Sequence, residues 1–121
     1  MDLKDLEVYQ LSEKLSDFIW NIVLNWDYFA KDTIGKQLVK ASDSIAANIA
    51  EGYGRYHYKE NKNFCYFARG SLEETKTWLR KSMRRGLVNQ AKHQELFDII
   101  GKLPKLLNSY IRSIGTKTND K

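Results

Sequence analysis

The chain has 121 residues, 42% of them hydrophobic, and a formal net charge of +5. That length supports one domain with a proper core, and the composition excludes wholesale disorder. Cys65 is the single cysteine, which excludes an intrachain disulfide, and the longest apolar runs are a few residues, far short of a membrane span. The opening Met1-Asp-Leu-Lys-Asp-Leu-Glu7 is charged and lacks the apolar stretch of a signal peptide, so a soluble cytoplasmic protein is expected, with no membrane partner.

Four periodic segments follow one another. The first covers about residues 4–26: Leu11, Leu15, Phe18, Ile22 and Trp26 recur at three- and four-residue steps, and Ile19 and Val23 widen the stripe. Trp20, Trp26 and Tyr28 add aromatic surface at its end that a lone bundle of this length would leave partly uncovered. A break over Asp27–Asp32 offers Asp32 as N-cap for the second segment, about residues 33–53. Its stripe is Ile34, Leu38, Ala41, Ile45 and Ile49, and Gly52 and Gly54 stop it.

The third segment spans about residues 58–85 and ends at Gly86. Helical spacing puts Phe64, Phe67, Ala68, Ser71, Thr75, Trp78 and Leu79 on one side, with Cys65 on the flank as an inert thiol. Lys62, Arg69, Lys76, Arg80 and Arg84 fall on the other side, with Glu73 among them. The fourth segment covers about residues 89–114 behind a candidate cap at Asn89, with Leu96, Ile100, Leu103, Leu107, Tyr110 and Ile114 in register. Pro104 interrupts it and is expected to kink the helix or break it near Lys102, and the tail 115–121 is expected to fray. With no strand-like alternation and only short connections, the fold class is all-α: a single-domain, up-down-up-down four-helix bundle.

The charge is unevenly placed. Residues 1–30 carry two lysines against six carboxylates, a net of −4, which leaves +9 for the remainder of a chain whose total is +5. An acidic first helix and a basic remainder fit attraction to a polyanion, self-association, or both.

Two stretches carry more polar detail than solubility requires: Ser44-Ile-Ala-Ala-Asn-Ile-Ala-Glu-Gly52, with Gly54-Arg55 behind it, and Ala68-Arg-Gly-Ser-Leu-Glu-Glu74. Together with the opening Leu6-Glu-Val-Tyr-Gln10, these motifs resemble the four-helix-bundle family of 23S rRNA-intervening-sequence proteins over nearly the whole chain. The resemblance implies a bundle that assembles into a ring-shaped homopentamer. It also implies kinship with proteins encoded inside intervening sequences of bacterial large-subunit ribosomal RNA genes. A similar bundle serves as the accessory protein of diversity-generating retroelements, where it is thought to engage nucleic acid and a reverse transcriptase. Pro104 departs from the family pattern.

Each constellation has a structural reading beside its functional one. Ser44, Asn48, Glu51 and Arg55 share a stripe at steps of four, three and four. They read as a network fixing bundle register or a subunit interface, with Arg69 and Glu74 as the expected partners of Glu51 or Arg55, or else as a ligand or nucleic-acid contact. Arg69, Lys76, Arg80, Arg84 and Arg85 read as phosphate contacts or as a solvated helix face. Tyr56 and Tyr58, beside Tyr53 and His57, read as platforms for unpaired bases or as the wet end of a bundle. Neither His57 nor His93 has glutamate three residues before it, and one cysteine allows no zinc spacing, so no metal, cofactor or catalytic residue is expected. The expected function is therefore non-enzymatic: an oligomeric bundle binding structured RNA or DNA through a basic surface, or alternatively a scaffold for a partner protein.

Overall fold

The computed structural model describes residues 2–115; most of the expected frayed tail, residues 116–121, lies outside the described residues. A single 3-10 turn, Leu3–Asp5, opens the chain, with the Asp2 amide donating to Asp5 Oδ2 at 3.0 Å. Leu6 is extended, and helix α1 then runs Glu7–Leu24.

The second helix begins earlier than the sequence suggests. Asp27, not Asp32, is its N-cap: Asp27 Oδ1 accepts from the Ala30 amide at 2.9 Å. Helix α2 proceeds through Tyr28–Ala30, a π-turn at Lys31–Gly35 and the α-helical Lys36–Tyr53. Asp32 lies inside that rod, paired with Lys36 at 2.7 Å. The π-turn inserts an extra residue into the helical repeat, so the helix can start at Tyr28 and still present Leu38, Ile45 and Ile49 to the core. Gly35 sits at its end, where a Cβ would stand 2.9 Å from Val23 Cγ1, and this lets α1 and α2 close on each other near their joint.

Helix α3 is Tyr58–Arg84. Its buried residues are Asn61, Cys65, Ala68, Leu72, Thr75, Leu79 and Ser82, an alternation of four- and three-residue steps. The inward face is thus rotated from the expected one. Cys65 is fully buried rather than flanking, whereas Phe67 is 58% exposed and packs edge-on against Phe64, with centroids 5.6 Å apart. Small residues alternate with Leu72 and Leu79 on the inward face, α2 comes close where Gly52 meets Asn61, and the bulky rings lie at the flanks.

Helix α4, Gln90–Ser113, is capped by Asn89, whose Oδ1 accepts from the Ala91 amide at 2.8 Å. It runs unbroken through Pro104, so of the two expected outcomes, a kink or a break near Lys102, the break does not occur. Pro104 removes one backbone donor and crowds the turn before it, at a cost of about 3 kcal/mol. The fully buried Leu103 and Leu107 anchor the helix on both sides of that defect, and burial of one such leucine is worth about 1.5–3 kcal/mol.

Each helix packs beside its chain neighbours, and α4 returns to α1, which gives the up-down-up-down square. The described residues contain four long helices and no strand. Leu15, Ile19, Leu38, Ile45, Ile49, Leu72, Leu96, Leu103 and Leu107 fill the core. Trp26, expected among the surface aromatics, is only 8% exposed; its Nε1 donates to the Leu87 carbonyl at 2.8 Å and ties the first connection to the third. Trp20 and Tyr28 do face outward, at 52% and 78% exposed.

Candidate nucleic-acid interface

The α2–α3 turn gathers the polar residues of the first motif. Arg55 reaches Glu51 at 3.3 Å and Glu60 at 3.5 Å, and its guanidinium lies 4.8 Å from the Phe64 ring centroid. Glu60 takes the place expected of Arg69 or Glu74. In an antiparallel hairpin, Arg55 at the turn meets only the first two turns of α3, Glu60 and Phe64, and Arg69 lies more than a turn beyond Phe64. Arg69 instead turns to α4, donating to Asn108 Oδ1 at 3.3 Å, and lies 5.0 Å from the Tyr66 ring centroid. Glu74 accepts from Trp78 Nε1 at 3.2 Å. Ser44 and Asn48 donate to the carbonyls of Lys40 and Ser44 along their own helix. The stripe expected as one network is therefore an ion-paired corner plus two local bonds.

Behind this corner lies a buried polar cluster. Asn61 Nδ2 meets the Tyr110 hydroxyl at 3.4 Å, and the Cys65 thiol points to Asn61 Oδ1 at 3.7 Å. Burial pushes the Cys65 thiol up to about 11 and raises Tyr110 as well. A thiol so placed stays protonated at neutral pH and is a poor nucleophile.

The basic residues of α3 occupy its outward side. Lys76 is half-buried and paired with Glu73 at 3.2 Å. Arg80, Arg84 and Arg85 are exposed and form no ion pair among the described residues; the contact given for Arg80 is the Thr77 hydroxyl at 3.5 Å. Lys81 and Arg84 stand in the last turn of α3, where the partial negative charge of the helix end favours cations.

The sequence-predicted site divides in space. Tyr56 and Tyr58 sit at the opposite end of α3 from Arg84, about 40 Å away at 1.5 Å per residue. Tyr56 is 67% exposed and edge-on to His57, and the Tyr58 ring lies against Gly115. The aromatic that does accompany the arginines is Trp78, half-buried, with the Lys81 ammonium 5.7 Å from its ring centroid. Its place in the run Lys76–Arg85 was the available signal, masked because its apolar character suggested a core residue.

Two further surfaces frame this face. Between α3 and α4 a groove of about 360 Å³ has an apolar floor of Leu79, Met83, Leu96, Phe97 and Ile100, with Lys76 and Arg80 at its rim. On the other side of the square, Asp43 of α2 stands near Asp17 and Glu13 of α1; partial burial and those two charges raise its carboxyl. Basic and acidic surfaces thus lie on opposite seams. Among the described residues no three His, Cys, Asp or Glu side chains gather to hold a metal ion, and no helix is long and apolar enough to cross a membrane.

A helical square with this pattern of small residues and paired polar motifs defines a class, and the comparisons with known proteins agree. The family model of the 23S rRNA-intervening sequence protein matches residues 4–109, so the chain belongs to that family. Among solved structures, the chain is similar to a protein with unknown function from the S23 ribosomal protein family of Bacteroides thetaiotaomicron. The two share 22% identity and a TM-score of 0.76, over 88% of this chain and 99% of that one, a likeness in fold. No curated protein matches the chain.

Proposed function

We propose that this protein is a non-enzymatic, cytoplasmic bundle that binds structured RNA or DNA through the basic side of α3. The observation carrying this reading is the run of exposed Arg80, Arg84 and Arg85 without ion-pair partners among the described residues. Cations left without an internal counter-ion are available to phosphates, and arginine can grip a phosphate through two parallel N–H donors. Lys76 and Arg69 extend the track, each already holding an internal partner that a phosphate would compete with. Such contacts position the nucleic acid without specifying its sequence.

Self-association is part of the same reading, with a homopentameric ring as the assembly. Trp20, Leu24, Tyr28 and Phe29 form an exposed corner where α1 meets α2, and each is at least half-exposed. Ring closure needs two different faces that fit each other, and the apolar groove between α3 and α4 supplies a concave counterpart. Five copies would turn one short basic track into a continuous belt. The same corner and groove favour the alternative reading, a scaffold whose partner is a protein.

Fluorescence anisotropy of a labelled ribosomal RNA stem-loop at low and near-physiological salt tests the proposal. Binding that weakens steeply with salt is expected. No binding at low salt would hand the function to the scaffold reading.

A further inference from the structure

We propose that the cleft between the π-turn of α2 and the C-terminal half of α3 is a pocket for one unpaired nucleobase, with Trp78 as its stacking wall. The inference rests on the nucleic-acid reading above and narrows its ligand to strands that present an extruded or unpaired base.

The cleft has a volume of about 330 Å³ and is walled by Trp78 and Arg85 from α3 and by Asp32, Thr33, Ile34, Lys36 and Gln37 from α2. That volume falls at the lower end of the range that holds small ligands, roughly 300–1,000 Å³. A planar base with a phosphate attached needs an aromatic or apolar wall, a cation beside it, and donors and acceptors for the base edge. All three are present. The Trp78 indole is held in place by its bond to Glu74 at 3.2 Å, so little ring freedom is lost on stacking. Arg85 stands at the cleft without an ion-pair partner, and the Lys81 ammonium lies over the ring, 5.7 Å from its centroid, leaving the opposite side of the indole to the base.

The polar edge comes from the π-turn. Inserting a residue there re-aims Asp32, Thr33 and Lys36 relative to a regular helix, and π-turns recur at functional sites for this reason. The Asp32–Lys36 pair, 2.7 Å apart, presents an acceptor and a donor side by side. Gln37 is exposed and carries both groups in one amide. A duplex face offers no base to this cleft, because its bases are stacked and paired. An unpaired base can enter while its flanking phosphates run along Arg80, Arg84 and Arg85. This also resolves the separation of Tyr56 and Tyr58 from the arginines: the stacking residue near the phosphate track is Trp78.

Two hairpin RNAs test the site, one fully paired in its stem and one identical except for a single unpaired adenosine. The bulged hairpin should bind roughly tenfold more tightly, the scale of one base–aromatic stack. Trp78→Leu keeps apolar bulk but no aromatic face and should bring the two affinities together, while Trp78→Phe should retain most of the difference. Arg80→Ala with Arg84→Ala should weaken both hairpins alike and leave their ratio intact. Equal binding of the two hairpins by the wild type, or an unchanged ratio in Trp78→Leu, would overturn the proposal. If neither hairpin binds at low salt, the nucleic-acid reading fails and a titration with adenosine 5′-monophosphate decides the site. Movement of the Trp78 indole N–H resonance with Trp26 fixed would keep it as a mononucleotide pocket, and no movement would reject it.

Discussion

The seam between α2 and α3 and the seam between α3 and α4 share one helix and differ in nearly everything else. At the first, backbones nearly touch: a Cβ placed on Gly52 would stand 2.7 Å from Asn61 Oδ1 and 2.9 Å from the Asn61 carbonyl oxygen. At the second, a groove stays open and Phe97 is 55% exposed on its floor. Close packing with a buried polar cluster fixes register, whereas an apolar groove with unpaired arginines at and beyond its rim leaves surface for something else to cover. The buried face of α3 serves folding; the α2–α3 seam opens beside the π-turn, into the cleft at Trp78 and Arg85, and the outward arginines stay uncovered.

The largest effect should come from closing the last gap in the tight seam. Alanine is usually the better helix residue, yet Gly52→Ala drives a methyl into a neighbouring backbone carbonyl that cannot step aside. A loss of about 1–3 kcal/mol is expected in chemical denaturation, the usual range for overpacking. Gly70 gives the contrasting result, since nothing lies within 4 Å of a Cβ built there. Gly70→Ala should stabilise the protein by roughly 0.5–1 kcal/mol through helix propensity alone. If both substitutions move stability the same way, the contrast between the two faces of α3 is wrong.

On the open seam, Phe97→Ala should change unfolding stability by no more than about 0.5 kcal/mol, as exposed positions do. It should nevertheless shift sedimentation toward a smaller species if the groove takes a second copy. A large stability loss with unchanged sedimentation would make the groove part of the core instead.

The smallest effect belongs to Asp43. Its carboxyl is raised by partial burial and by Asp17 and Glu13, so the folded state holds the proton more tightly than the unfolded one. Ionised Asp43 therefore costs stability above its raised pKa, and that cost disappears as pH falls through it. Asp43→Asn should raise the melting temperature slightly at neutral pH, and the gain should fade in acid and, for the part due to Asp17 and Glu13, in high salt. A gain that persists in acid would mean that the ionised carboxylate is not its cause.

Much of this architecture was legible in the sequence. The four helices, their order and the absence of strands among the described residues followed from periodicity and short connections, because a stripe of apolar residues at helical spacing has few alternatives. The rotation of α3 was not legible. Hydrophobicity favours Phe64, Phe67 and Trp78 for the core, but the buried face centres on Cys65, Ala68, Leu72, Thr75 and Leu79, a choice decided only once helices are placed together. Asp27 and Asp32 both satisfy the chemistry of an N-cap, and a π-turn, invisible to a regular period, decided between them. Of the phosphate-contact candidates, Arg69, Arg80, Arg84 and Arg85 are exposed and Lys76 is half-buried, and the distance between Tyr58 and Arg84 depends on one long continuous helix. Trp78 was hidden for the same reason that Phe67 was misplaced.

On the proposed function, the exposed arginines of α3 bind nucleic acid and contribute little to folding. Measuring the RNA affinity of Arg80→Ala with Arg84→Ala across a salt series, beside its melting temperature, tests it most directly. An unchanged melting temperature, weaker binding, and a salt slope reduced by about one for each arginine that contacts a phosphate are expected. Unchanged affinity and slope in a fully folded variant would contradict it.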